Sequence, residues 1–367
     1  MKTYLIFRYS YIFELPAIAM NTLRNLTILF FLTAFIACTT QKQDIKAKDF
    51  LISVKSIKGD TIISSAVYYA GHILCLQEDS KLFVLDTAFN FVDSLTAKFS
   101  KLKIQFLHSY NDTILLSTDK DIFYLDTGFT LKKYNNQPFK YGLPFYNDST
   151  YYVHACSAGE WGGSVFFWNK KTNKTYSYPA TCVQQVLKFK GNYIVSSFLA
   201  HMSGFSDYLS INDPTKLYEL KDEKQKTFCN WWSVDSIKNL RLFDTITPQG
   251  VKYYADKFTT RTITVFPYND TLYSIYSTDS ATILAKHINF KLVPVDTLLK
   301  RRISFQDAAT HLTENIVVTA YRESWATSDA NDKIINYQNT GLIFIQDNRI
   351  TFLEFKTPHM WTESNSR

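Results

Sequence analysis

Apolar and polar positions along this chain alternate in short bursts rather than at helical spacing, and the bursts recur. Lys81-Leu-Phe-Val-Leu-Asp-Thr-Ala-Phe-Asn-Phe91 aligns without gaps, 40 residues on, with Asp121-Ile-Phe-Tyr-Leu-Asp-Thr-Gly-Phe-Thr-Leu131. Phe83, Leu85, Asp86, Thr87 and Phe89 return as Phe123, Leu125, Asp126, Thr127 and Phe129. Each unit reads as a strand, a turn at Asp-Thr, and another strand. Upstream, His72-Ile-Leu-Cys-Leu76 matches Asp112-Thr-Ile-Leu-Leu116. A period near 40 residues built from short strands predicts a propeller blade. Asn-Asp followed by Ser or Thr, at Asn111, Asn147 and Asn269, predicts the turn between a blade's first and second strands. Gly71, Gly191 and Asn315 stand at comparable places. The spacing allows seven blades if one with a degraded turn lies between about 220 and 265, and six if that stretch belongs to its neighbour.

Such a blade carries apolar residues on both faces and needs neighbours to cover them. The ring must also close, or its last edges stay open to aggregation. Phe50-Leu-Ile-Ser-Val-Lys-Ser-Ile57 is a lone early strand, expected to pair with the last blade at Leu342–Ile345 and Ile350–Phe355. The fold expected is therefore all-β: a propeller of six or seven four-stranded antiparallel blades over residues 49–367. Abundant Phe (29) and Tyr (24) favour strands, and with only 11 glycines the turns must rely on Asn and Asp.

The segment ahead of the propeller has a different pattern. Arg24 precedes an apolar run from Leu26 to Ala37, too short for the roughly 20 residues of a spanning helix but of signal-peptide length. Met20 is a better start than Met1. Phe35-Ile-Ala-Cys38 resembles the lipobox of a bacterial lipoprotein, with Phe where Leu is commoner, as in the looser boxes of Bacteroides-type bacteria. That resemblance implies a signal peptide over 1–37, acylation (palmitate or a similar chain) on Cys38, and a flexible stalk over 38–48. The alternative is an uncleaved anchor helix. Either way the body faces away from the cytoplasm; as a lipoprotein it is expected at the outer membrane, toward the periplasm or the cell surface.

From Cys38 onward the chain has 37 basic and 32 acidic residues, a net +5 without runs. No Lys/Arg cluster alternates with aromatics, so nucleic acid is not an expected partner. HExxH, GxSxG, GxGxxG and P-loop motifs are absent, and no cofactor or metal is expected. Of Cys75, Cys156, Cys182 and Cys229, the easiest bridge joins Cys156 to Cys182; the alternative is four buried thiols.

Candidate ligand-binding residues lie where second-to-third-strand loops lengthen. Glu160 and Trp161, flanked by glycines in Ser157–Gly163, suit a sugar: the indole stacks on the ring face and the carboxylate accepts hydroxyl protons. Arg322, Glu323 and Trp325 repeat that chemistry in a loop expected over Arg322–Gly341. His154 and His201, in or beside second strands of consecutive blades, are candidates for the same face. The alternative gives these tryptophans to the core and the charges to solvent. Trp231-Trp232 reads as core. Asp-Ser/Thr-aliphatic recurs at Asp93, Asp112, Asp235, Asp270 and Asp296. It resembles the O-glycan acceptor of Bacteroides-type bacteria, and equally describes a turn entering a strand.

Phe266-Pro-Tyr-Asn-Asp-Thr-Leu-Tyr-Ser-Ile275 with Ala285-Lys-His-Ile-Asn-Phe290 resembles a blade of the six-bladed propeller lipoproteins common in Bacteroides-type bacteria. The resemblance brings no defined activity. The function expected is a membrane-anchored, non-catalytic protein whose propeller face binds a carbohydrate, a peptide or a protein. A glycan hydrolase or lyase with carboxylates from different blades is the alternative, and an envelope-complex scaffold a second one.

Overall fold

The computed structural model describes residues 49–57, 61–110, 113–134, 143–157, 159, 162–199, 205–221, 251–255, 260–289, 291–305, 311–312, 316–328, 334–355 and 359–361. The signal-peptide and stalk segments, with Cys38, lie outside them.

A strand β1 (Leu51–Ile57) precedes the blades. Blade 1 is β2 (Ile63–Tyr69), β3 (His72–Gln77) and β4 (Leu82–Asp86), followed by helix α1 (Asp93–Phe99). Blade 2 is β5 (Phe106–Tyr110), β6 (Thr113–Ser117), β7 (Ile122–Leu125) and β8 (Leu131–Lys133). Blade 3 is β9 (Leu143–Asn147), β10 (Tyr151–Ser157), β11 (Gly163–Asn169) and β12 (Lys174–Pro179). Blade 4 begins with β13 (Val183–Phe189), β14 (Asn192–Leu199) and β15 (Phe205–Ile211). The chain then detours: β16 (Tyr218–Leu220) adds to β12 of blade 3, and β17 (Val251–Ala255) returns to pair with β15. Blade 5 is β18 (Arg261–Tyr268), β19 (Thr271–Ser277), β20 (Thr282–Ile288) and β21 (Lys291–Leu299). In blade 6, β22 (Ser304–Phe305) and β23 (His311–Leu312) both pair with β24 (Ile316–Ser328). Then come β25 (Ile334–Gln346), β26 (Arg349–Phe355) and β27 (His359–Trp361), the last pairing back onto β25.

The strands within each blade are antiparallel, and the fold is a six-bladed β-propeller. Between 220 and 265 the described strands are the outer strand of blade 4 and the start of blade 5, so the described residues hold six blades. Each neighbouring pair meets. Blades 1 and 2 share a core with Leu74, Leu76, Leu107 and Leu116, and β5 runs beside β9. Val195 and Phe167 join blades 3 and 4; Tyr208 and Val265 join blades 4 and 5. Ile275 and Ile343 join blades 5 and 6, and Phe83 with Phe355 closes blade 6 onto blade 1. Along β3 the alternation is visible: Ile73 and Cys75 face blade 6 while Leu74 and Leu76 face blade 2. Two covered faces explain why the strands read as near-continuous apolar runs.

The turns follow the expected chemistry. Ala70-Gly71, Lys190-Gly191 and Asn269-Asp270 all have two consecutive positive φ values, the geometry that fits a two-residue hairpin to strand twist. Counting back from Gly71, Gly191 and Asp270, the pairing of the first strand slips at the same place in blades 1, 4 and 5, at Ser64, Gln184 and Ile263. In blades 1 and 4 the residue after the slip then reaches the next blade. Ser65 donates to the Leu107 carbonyl at 3.3 Å, and Gln185 both accepts from Val265 N–H (2.9 Å) and donates to its carbonyl (2.8 Å).

Closure takes the expected form. β1 pairs with β26 over seven residues, Leu51 opposite Arg349 to Ile57 opposite Phe355, and the pairing is parallel. Ahead of it Phe50 is buried against Phe266, Tyr268 and Tyr273 of blade 5. Asp49 binds Lys286 (2.9 Å) and the Tyr273 hydroxyl (3.1 Å). One element differs from expectation. In blade 1 the fourth strand is reduced to a bridge between Leu85 and Phe91, and α1 covers the edge. Val84 N–H donates to the Thr96 hydroxyl (3.0 Å), and Val92 N–H donates to the Val84 carbonyl (2.8 Å), so the groups a fourth strand would satisfy are taken by the helix and its lead-in.

Candidate functional site

The second-to-third-strand turns and the connections between blades share one end of the ring. There, between blades 5 and 6, the chain gathers charge. Arg301 and Arg302 lie in the β21–β22 connection. That connection is held down from below: the Thr282 hydroxyl donates to the Arg301 carbonyl (2.9 Å), Ile303 N–H donates to the Ser277 hydroxyl (3.3 Å), and Ile303 is fully buried. The Arg301 guanidinium reaches Glu323 on β24 (3.4 Å) and also pairs with Glu354 on β26. Asp279, in the β19–β20 turn, meets Arg261 (3.4 Å) and Arg302 (3.6 Å). Three guanidinium groups and three carboxylates thus stand together on two blades.

The strands set this geometry by register. Tyr321, Gly341 and Glu354 are directly opposite one another on β24, β25 and β26. Gly341 has no Cβ because none fits: it would press into the Tyr321 ring and sit 2.5 Å from the Leu353 carbonyl oxygen. Burial drives the Tyr321 phenol far above its ordinary range, with the nearby Glu354 charge adding to it. Glu323 is also raised: burial is the main cause, the Arg301 charge opposes it, and the Glu354 charge reinforces it. Two carboxylates therefore share one guanidinium at a partly exposed site, where Arg301 and Arg302 keep 39% and 43% of their side chains open to solvent. Such a surface offers donors and acceptors side by side to a polar ligand.

Next to it β24 and β25 run on. Their pairing extends from Ile316–Gln346 to Ser328–Ile334, while β26 covers β25 only from Gly341 to Gln346. The outer half of the hairpin projects past the blade, with β27 pairing at Asn336–Gln338. This corrects the loop expected over Arg322–Gly341. Arg322, Glu323 and Trp325 lie on β24, opposite Thr340, Asn339 and Tyr337. Polar residues dominate this stretch of sequence, so it reads as loop.

The remaining candidates separate. His154 lies on β10 as expected but is buried, stacked on Phe166 at 4.7 Å, and burial lowers its pKa to about 3. It is an interior residue rather than part of a binding face. His201, Glu160, Trp161, Trp231, Trp232 and Cys229 lie outside the described residues. Around Glu160 and Trp161, Gly159 and Gly162 have positive φ, and a Cβ on Gly163 would sit 2.7 Å from the carbonyls of Ala180 and Cys156. The loop's glycines thus serve its backbone. No disulfide joins Cys156 to Cys182; Cys75 is buried and the other two are partly exposed. Asp270 fits the turn-then-strand reading, whereas Ser94 is exposed on α1 and Thr297 on the outer strand of blade 5. Asp112 and Asp235 are outside the described residues. Among the described residues no three or more potential metal ligands come together. Of the Arg301 cluster, sequence reading named Glu323 but missed Arg301 and Glu354, whose linear sign is limited to the Arg301-Arg302 pair.

No protein-family model matches the chain, and no curated protein matches it. Among solved structures, it is similar to the β-propeller domain of the Trilobed protease from Pyrococcus furiosus at 9% identity and a TM-score of 0.34, covering 84% of this chain and 98% of that one. It is similar to the extracellular domain of a one-component system from B. thetaiotaomicron at 7% identity and a TM-score of 0.32, covering 82% and 57%. It is also similar to the N-terminal domain of Nup159 at 9% identity and a TM-score of 0.31, covering 87% and 90%. The propeller assignment rests on the sheet pairing and the cores between blades.

Proposed function

We propose that this chain is a non-catalytic binding lipoprotein, anchored by an acylated Cys38 at the outer membrane and presenting one propeller face to a polar ligand, a carbohydrate, a peptide or a protein. The observation that carries the binding reading is the Arg301–Glu323–Glu354 cluster beside the projecting β24–β25 hairpin. Charged groups with unspent hydrogen-bonding capacity at the channel end are what a polar ligand needs. The anchor rests on Phe35-Ile-Ala-Cys38 and on the reach of the stalk. Two or more acyl chains make such attachment stable, at about 0.8 kcal/mol per buried methylene.

One observation favours a second reading. Glu323 and Glu354 form a carboxylate pair, one of them raised, as in glycan hydrolases. Arg301 engages both, which opposes a free acid and base and favours binding. A glycan array probed with the wild type and with Arg301→Ala and Trp161→Ala separates the cases. Retention that Arg301→Ala abolishes, with the glycan returned intact, supports the binder; cleaved glycan supports the hydrolase. Metabolic labelling with an alkyne fatty acid tests the anchor: label on the wild type and none on Cys38→Ala is expected, and an unlabelled wild type overturns it.

A further inference from the structure

We propose that β1 is a self-pairing edge, through which two copies of this chain join antiparallel about Val54. β1 ends its sheet: β26 lies on one side, and among the described residues no strand lies on the other. Leu51 N–H donates to the Asn348 carbonyl at 2.7 Å, which fixes the pleat. Residues 51, 53, 55 and 57 turn their backbone groups toward β26, so Ile52, Val54 and Ser56 turn theirs outward. These are the groups an added strand would pair.

The other outer edges are blunted in ways proteins use against such pairing. Blade 1 is covered by α1. β8 has three residues, two of them Lys132 and Lys133, and β16 has three. β21 contains Pro294, and its pairing slips twice. β17 has five residues. β1 has seven in unbroken register, without proline. Its single charge, Lys55, is drawn over the Phe89 ring at 4.7 Å, toward blade 1. Of five exposed large hydrophobic residues among the described residues, three are on this strand: Leu51 at 60%, Val54 at 50% and Ile52 at 36%.

The strand's own sequence selects a second copy as occupant. A two-fold axis at Val54 places Val54 opposite Val54, Ile52 opposite Ser56, Ser53 opposite Lys55 and Leu51 opposite Ile57. No like charges face each other. The three outward residues become hydrogen-bonded pairs, which together exchange about six N–H···O bonds. A register centred on Ser53 or Lys55 would pair only two of the three outward residues within β1, and at Lys55 it would set two like charges opposite each other.

The test uses the full-length chain in detergent matched to solvent density. Sedimentation equilibrium of the wild type should give twice the chain mass. Val54→Pro removes an outward N–H and leaves the β26 ladder whole, so it should give the single-chain mass at an unchanged melting temperature. Under mild oxidation Val54→Cys should form a disulfide-linked dimer, and Lys55→Cys, which faces Ser53, should not. A single-chain mass for the wild type overturns the proposal, including one that captures a foreign strand. So does equal cross-linking of the two cysteine variants, a reading that holds even if the proline variant fails to fold.

Discussion

At the scale of single residues, Asp148 shows how a turn residue becomes a joint between blades. One carboxylate oxygen accepts from Thr150 N–H and Tyr151 N–H, both at 2.8 Å, and closes the β9–β10 turn. The other accepts from the Tyr193 hydroxyl (2.7 Å) and Lys188 (3.0 Å) on blade 4. Burial pushes its pKa up, but the Tyr193, Tyr151, Lys188 and Thr150 hydrogen bonds outweigh burial and hold it at about 2. Because the folded value lies below the unfolded one, the contribution is complete above about pH 4 and is lost as pH falls through about 2. Asp148→Asn should cost about 1–2 kcal/mol at neutral pH, after allowance for solvent screening, in urea unfolding. Three histidines, His154 buried and His108 and His287 partly buried, act over a higher range. His154, His108 and His287 are lowered to about 3, 4 and 4 by burial, so the unfolded chain takes up protons first as pH falls below about 6.5. Stability should therefore drop from about pH 6.5 downward, each histidine contributing up to about 1.4 kcal/mol per pH unit. His154→Phe should flatten that slope in urea titrations at several pH values. The Asn-Asp signal made the turn at Asp148 legible in the sequence. Its second pair of partners was not, because Lys188 and Tyr193 are brought there only by blade stacking.

At the scale of elements, the repeat was the strongest signal and its failure is instructive. Asp86 and Asp126 both turn the chain, accepting from Asn90 N–H (2.8 Å) and Thr130 N–H (2.9 Å), and Phe89 and Phe129 both take positive φ to plug the core. The alignment then stops being structural: Leu131 opens β8, while Phe91 only bridges before α1. Val92, Leu95, Phe99 and Leu102 have helical spacing and pack into the core between blades 1 and 2, a signal too short to outweigh the repeat. The helix is tied to its sheet by Thr96. Thr96→Val keeps the shape and orphans Val84 N–H, which should cost about 1–3 kcal/mol and speed exchange of that amide. The β24–β25 hairpin erred the other way. Its sequence from Arg322 to Gly341 is dominated by polar residues, so binary patterning gives no strand signal there. Gly341 lies where the hairpin leaves the blade, and Gly341→Ala should cost about 1–3 kcal/mol in thermal unfolding by displacing Tyr321.

At the scale of the whole molecule, no blade is self-sufficient, and the ring holds because its last contact is made by its first strand. β1 crosses from Phe50 in the core between blades 5 and 6 to Ile57 against blade 1, so it fastens three blades at once. The charged cluster lies on two of the blades that β1 joins. The pairing of early and late strands was legible because both were left without partners in the repeat; its parallel sense was not, since direction depends on where the chain enters. The most direct test is a paired-cysteine cross-link. Ser53 and Thr351 are register partners whose hydroxyl oxygens are 3.0 Å apart. In the double variant Ser53→Cys, Thr351→Cys, mild oxidation should yield an intrachain disulfide and a higher melting temperature, while Ser53→Cys with Phe352→Cys should not close. No cross-link in the first pair, or closure in the shifted pair alone, would contradict a ring clasped by β1.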